Sequence, residues 1–201
     1  KTTTLKMLSG ILYPSGGSVS VMGEEPWKRN REFLKKIAFV MGNKSDMNWD
    51  LPAVDTFAYQ KLLYDIPEQE YRESLKRLTE MLRLDTILLN TQVRRLSLGE
   101  RMKVELVNSF LYSPRLIFLD EPTIGLDIGS QDAIREFIRE YRQKKGASIL
   151  LTSHDMDDIE NTCDRILVLK KGKLAYALDV EELKKKSGSF RETMKGLLEG
   201  E

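Results

Sequence analysis

The sequence has almost no cysteine, almost no histidine and no long apolar run. Cys163 is its single cysteine, so no disulfide can form within the chain, and this usage fits a reducing compartment. No apolar stretch approaches the roughly 18 residues that a membrane-spanning helix requires, so any membrane role must run through a partner chain. Lys1-Thr2-Thr3-Thr4 is not followed by the apolar region of a signal or transit peptide. An excess of one charge is missing as well: 32 basic residues face 31 acidic ones, a net charge of +1. That balance offers no electrostatic footing for nucleic acid. Internal repeats and low-complexity linkers are also lacking.

The chain is 201 residues long, 41% apolar and 31% charged. These values suit one domain, or two closely joined subdomains, with a true core and a solvated surface. Thr2 to Leu8 reads as a short helix closed by Gly10 and the Pro14-Ser15-Gly16-Gly17 turn. Ser18 to Met22 alternates like a strand, 28 to 36 is charged and helical, and Ile37 to Met41 is a buried strand bounded by Gly42. From about 45 to 112 the pattern turns helical, with Val54 to Tyr64, Glu68 to Leu84 and Leu98 to Leu111 as helices. Strand and helix then alternate: Arg115 to Leu119, Ser130 to Arg142, Ser148 to Thr152, Asp155 to Thr162. Arg165 to Leu169 and Lys173 to Ala177 flank Lys171-Gly172 as a hairpin. From Glu181 onward a charged helix and a loose tail are expected. This order implies an α/β fold with a mainly parallel sheet and an inserted helical subdomain.

Four segments carry chemistry. Lys1-Thr2 in KTTTLKMLSG matches the last two positions of G-x-x-x-x-G-K-[ST]. There, backbone amides and the lysine cradle phosphates, and the hydroxyl binds Mg²⁺. The helix that follows would point its positive end at them. In LIFLDEPTIGLD, a run of β-formers ends in Asp120-Glu121-Pro122, and a carboxylate pair at the tip of a buried strand is where a phosphate-binding sheet holds a metal and a water. LSLGERMK starts a helix: Ser97 is placed to cap it and Glu100 stands at the capping-box position. The same helix start, with Gly99, also makes an anion site. TSHD ends a β-rich run with the only histidine, His154.

In this order and spacing, the four segments resemble the nucleotide-binding domain of an ATP-binding cassette (ABC) transporter over nearly the whole chain. The resemblance implies a P-loop NTPase-like fold: 1–44 and 113–180 as the ATPase core, 45–112 as the helical signature subdomain, 181–201 as a C-terminal helix and tail. It implies ATP and Mg²⁺ as ligands. Lys1, Thr2 and Thr3 would hold the nucleotide, and Thr2 and Asp120 the metal. Glu121 would polarise the attacking water. His154 would hydrogen-bond the γ-phosphate and sense its loss. Ser97, Gly99 and Glu100, a variant of the LSGGQ signature, would cap the γ-phosphate bound by a second subunit. Asp127 would stand at that dimer interface. Two departures bear on the site. Leu98 and Glu100 replace the usual glycine and glutamine. Asn43 follows Val40-Met41-Gly42 where glutamine usually reaches the metal and the water; it is alternatively a simple turn residue. Met47 to Pro52, with its Trp-Asp-Leu-Pro, is similar to ATPases of exporters of drugs or other amphipaths.

The implied protein is an ATPase at the cytoplasmic face of a membrane, paired with a second cassette and a transmembrane permease. Alternatives are a soluble ABC protein acting on ribosomes, a chromosome or DNA-repair ATPase, and a degenerate regulatory cassette. A single signature disfavours the first, the lack of sustained heptads between Lys1 and Leu96 the second, and the presence of Asp120, Glu121 and His154 the third. Since the sequence starts at the motif lysine, the glycine loop and its strand are not in it. The 201-residue chain made alone is expected to bind ATP weakly or not at all and to aggregate.

Overall fold

A computed structural model describes residues 1–185 and 190–199 of the protein. The chain falls into two compact units: Thr2–Thr152, and the residues from Ser153 onward together with Lys1.

The larger unit is built on three parallel strands in the order β1-β2-β3, namely Ile37–Met41, Leu116–Asp120 and Ser148–Thr152. The central strand reads LIFLD because both of its faces are covered, which removes the polar alternation of a half-exposed strand. Alternate residues point to opposite faces. Ile117 and Leu119 join Ala38 and Val40 in the main core. Phe118 joins Ile37, Leu5 and Phe33 in a second cluster, under α1 (Thr2–Leu8) and α2 (Arg31–Leu34).

The main core is closed by helices between the strands. These are α3 (Ala53–Leu63), α4 (Glu68–Met81), α5 (Thr86–Leu89), α6 (Leu98–Phe110) and α7 (Ile128–Lys145). Helix α6 is buried along almost its whole length, with Val104, Leu106, Val107 and Phe110 fully out of solvent. Phe110 meets Phe137 and Tyr141 of α7 edge-on, with ring centroids 5.0 and 4.6 Å apart. Truncating such a ring to alanine costs about 3–5 kcal/mol.

The smaller unit contains α8 (Met156–Thr162), the antiparallel pair β4 (Arg165–Lys170) and β5 (Lys173–Asp179), α9 (Val180–Lys185) and α10 (Phe190–Glu199). The hairpin turns through Lys171-Gly172, as the sequence indicates. Ile166 and Val168 bury one face of it against Val180, Leu183, Phe190 and Met194.

Four expectations change. Ser18 to Met22 is not a strand: only an isolated bridge pairs Val21 with Glu24, because no neighbouring strand among the described residues offers it a ladder. The helix expected over 28–36 is split by Arg29, which is left-handed at φ 49°. The Asn30 side chain then accepts from the Glu32 amide and restarts the helix as α2. Helix α4 stops short of Leu84, because Arg83 is left-handed at φ 55° and the Leu84 amide closes back on the Thr79 carbonyl. Beyond Glu181 the chain is not a loose tail over 190–199, where α10 buries Phe190 and Met194; the rest of the expected tail, 186–189 and 200–201, lies outside the described residues.

Candidate nucleotide site

The three parallel strands end in register. Met41 pairs with Asp120 and Asp120 with Thr152, so the carboxyl ends of the strands form one rim. Asp120 is 7% exposed. Its Oδ1 accepts the Thr152 hydroxyl at 2.6 Å and the Thr2 hydroxyl, from the first turn of α1, at 3.0 Å. One carboxylate and two hydroxyls thus converge at a single point. The next residue, Glu121, is left-handed at φ 53°. A bulky residue held there stores about 1–3 kcal/mol of strain. Its amide is pinned by the Thr152 carbonyl at 3.0 Å and hydroxyl at 3.2 Å, and its side chain is half-buried.

Gly42 sets the other side of the rim. Its amide donates to the Asp120 carbonyl at 2.9 Å. A Cβ on Gly42 would stand 1.9 Å from the Glu121 carbonyl oxygen, so only glycine lets β1 approach this closely. Asn43 follows, exposed, on the edge of a cavity of about 130 Å³ shared with Trp49, Leu98 and Arg101. Among the described residues no group of three or more His, Cys, Asp or Glu converges. The donors at Asp120 are few and all oxygen, the set that suits Mg²⁺, which keeps much of its water shell.

A second cluster joins two helix starts. Ser97 caps α6: its hydroxyl accepts the Glu100 amide at 3.3 Å, and a Glu100 carboxylate oxygen accepts both the Ser97 amide and the Ser97 hydroxyl at 2.8 Å. The capping box read from the sequence is therefore closed, and the Ser97 proton is directed at Glu100. Asp127 caps α7, accepting the Ser130 amide at 3.0 Å and the Ser130 hydroxyl at 2.7 Å. Those two bonds hold the exposed Asp127 carboxyl below its usual range. Gly99 lies directly against Ser130, and Leu98 covers Gly125.

Lys1 and His154 belong to the smaller unit. The Lys1 ammonium donates to the Ser153 carbonyl at 2.9 Å. The Ser153 hydroxyl donates to Asp158 at 2.6 Å and accepts the Asp155 amide at 2.9 Å. Asp158 is 1% exposed, so the turn bearing the exposed His154 rests on a buried anchor. Thr3 is exposed in the first turn of α1.

The structure thus gathers Thr2, Asp120 and Glu121 at one rim with Asn43 next to it, gathers Ser97, Gly99, Glu100 and Asp127 at another place in the same unit, and leaves Lys1 and His154 in the smaller unit, where Lys1 bonds the Ser153 carbonyl. Sequence reasoning missed Thr152, Ser130 and Asp158. Thr152 was signalled by its position at the end of a strand parallel to LIFLD.

The sequence matches the ABC transporter family over residues 1–124. It is 30% identical over 183 residues to the ABC transporter ATP-binding protein NatA of Bacillus subtilis (strain 168), covering 91% of this chain and 74% of NatA. It is 27% identical to the energy-coupling factor transporter ATP-binding protein EcfA3 of Oenococcus oeni, covering 91% of this chain but only 65% of that protein. A solved ATP-binding subunit of an ABC transporter superposes with a TM-score of 0.84 at 26% identity, over 99% of this chain and 83% of that one. The dimeric ATP-binding cassette MJ0796, solved in a post-hydrolysis state with ADP and Pi, shares the fold with a TM-score of 0.75 at 20% identity, over 89% of this chain and 80% of that one. The fold is that of a P-loop NTPase, and the chain belongs to the ABC transporter family, whose ATP-binding domains are ATPases.

Proposed function

We propose that the protein binds Mg-ATP at the strand rim and hydrolyses it between two such domains, driving a membrane exporter. The convergence of the Thr2 and Thr152 hydroxyls on Asp120 Oδ1, beside a backbone-locked Glu121, supports this reading most directly. In it, Lys1, Thr2 and Thr3 hold the phosphates. Thr2, Asp120 and Asn43 would hold the Mg²⁺, which when bound neutralises charge on the phosphate oxygens. Glu121 orients the attacking water and receives its proton. His154 donates to the γ-phosphate. Ser97, Gly99 and Glu100 meet the γ-phosphate held by the other domain, and Asp127 stands at the same interface. ATP bonded from both sides closes the pair, and loss of the γ-phosphate releases it.

The segment 45–112 acts in this account as the signature subdomain, 1–44 with 113–180 as the ATPase core, and 181–201 as a C-terminal appendage. Trp49 and Leu98 are exposed apolar side chains lining the cavity beside Asn43. A cluster of this kind suits a protein contact, here with a transmembrane permease at the cytoplasmic face of the membrane. No described helix is long and apolar enough to cross a membrane; the peripheral association proposed here rests on the likeness to ATP-binding subunits of ABC transporters. The Met47–Pro52 segment supports export over import.

The shared site is tested by mixing two damaged full-length chains, Ser97→Arg and Lys1→Ala. Each pure dimer has both sites broken, whereas the mixed dimer keeps one intact. Restored ATP turnover on mixing is expected; none, with both variants folded and paired, rules the arrangement out.

A further inference from the structure

Glu105 is a carboxylate in the middle of a buried helix. Val104, Leu106 and Val107 around it are fully buried, and Glu105 itself is 3% exposed. A charged group so placed is disfavoured unless its oxygens are bonded. Both are, and by one short loop. Oε2 accepts the Ser45 hydroxyl at 2.6 Å and Oε1 accepts the Asp46 amide at 3.1 Å. The Ser45 oxygen in turn accepts the Met47 amide at 3.1 Å, and Met47 is buried at 3%. Nearer the start of α6, Arg101 stacks on Trp49 at 4.3 Å, a second tie between the helix and the segment after β1.

The other end of this loop is fixed as well. Gly42 donates to the Asp120 carbonyl and touches the Glu121 carbonyl oxygen too closely for any other residue. Gly42 to Met47 is therefore a strut of six residues. One end stands on the rim of Asp120 and Glu121. The other is bolted to the centre of α6, whose first turn is Ser97 to Glu100. Asn43 lies between the two, exposed.

We propose that Glu105 is a positioning residue for ATP hydrolysis: its two bonds to Ser45 and Asp46 make Asn43 follow any movement of α6. Engagement of the first turn of α6 with nucleotide is then felt at the strand rim through the strut. This rests on the function proposed above. A loop that only needed anchoring could use apolar packing at no desolvation cost; two acceptors aimed at one loop fix its position and its direction.

The test is a kinetic cycle in the full-length protein. Glu105→Ala should lower kcat for Mg-ATP by about ten- to a hundredfold, the scale of losses from small misplacements. KM should stay within about twofold, because Thr2 and Asp120 still bind. Glu105→Gln should recover most of the loss, since its carbonyl can accept from Asp46 and its amide can donate to the Ser45 oxygen. In the Asn43→Ala background, Glu105→Ala should add little, because the strut no longer carries a working group. Additive losses, or a folded Glu105→Ala protein with normal kcat, would overturn the proposal. If Glu105→Ala does not fold, Ser45→Ala replaces it in the same cycle with the same two readings. Wild-type protein without Mg-ATP turnover would instead refute the functional reading on which this rests, and the proposal would fall with it.

Discussion

Gly99 and Ser130 stand so close that a Cβ on Gly99 would lie 2.1 Å from the Ser130 hydroxyl oxygen and 2.7 Å from its Cβ. Ser130 is not free to yield, because its amide and hydroxyl both bond Asp127. The first turns of α6 and α7 are therefore one packed unit, and the glycine in LSLGE has a structural reason that needs no ligand. Gly99→Ala should destabilise the protein by about 1–3 kcal/mol, as overpacking does. Adding Ser130→Gly should return part of that, measured by urea unfolding of both variants. Simple additivity of the two changes would show that the contact is not the cause.

Glu105 makes stability depend on pH. Burial pushes its pKa above the ordinary glutamate value, while the bonds from Ser45 and Asp46 pull it back and the neighbouring Asp46 carboxylate pushes it up. The folded protein thus holds this proton to higher pH than the unfolded chain does. In the window between the two values, stability falls as pH rises, and it is regained as pH falls through the same window. Glu105→Gln has no such proton. Relative to that variant, the wild type should gain in urea midpoint as pH is lowered from neutrality toward the ordinary glutamate range. A difference that stays flat, or runs the other way, contradicts the assignment.

Much of this could be read in advance, for physical reasons that differ by element. The β2 strand and the Lys171-Gly172 hairpin were legible because burial on both faces and a two-residue turn each leave a local signature. The Ser97–Glu100 box was legible because a cap is a local bond. Residues 18–22 misled because alternation alone cannot supply a partner strand. Helix α10 carries a helical signal in Phe190, Met194 and Leu197 at i, i+4 and i+7, but the charged run before it reads as a tail, and what holds it is the packing of these residues with the hairpin cluster. Thr152, Ser130 and Glu105 act across long sequence separations, through strand register and helix packing, which composition does not encode.

Asn43 is one methylene shorter than glutamine and is exposed beside the Asp120 rim. If reach limits its alignment with metal and water, Asn43→Gln should raise ATP turnover or sharpen its response to the membrane partner. Steady-state ATPase assays with and without that partner decide it. No change in either would leave Asn43 as a turn residue after Gly42.

Under the proposed function, Glu121, whose amide is held by Thr152 at the end of β2, takes the proton of the attacking water. The most direct measurement is turnover and ATP binding by full-length Glu121→Gln protein. ATP should still bind, and ATP-bound dimers should accumulate. Turnover should fall by about a hundredfold or more, the scale of general-base loss. Turnover near the wild-type rate would contradict it.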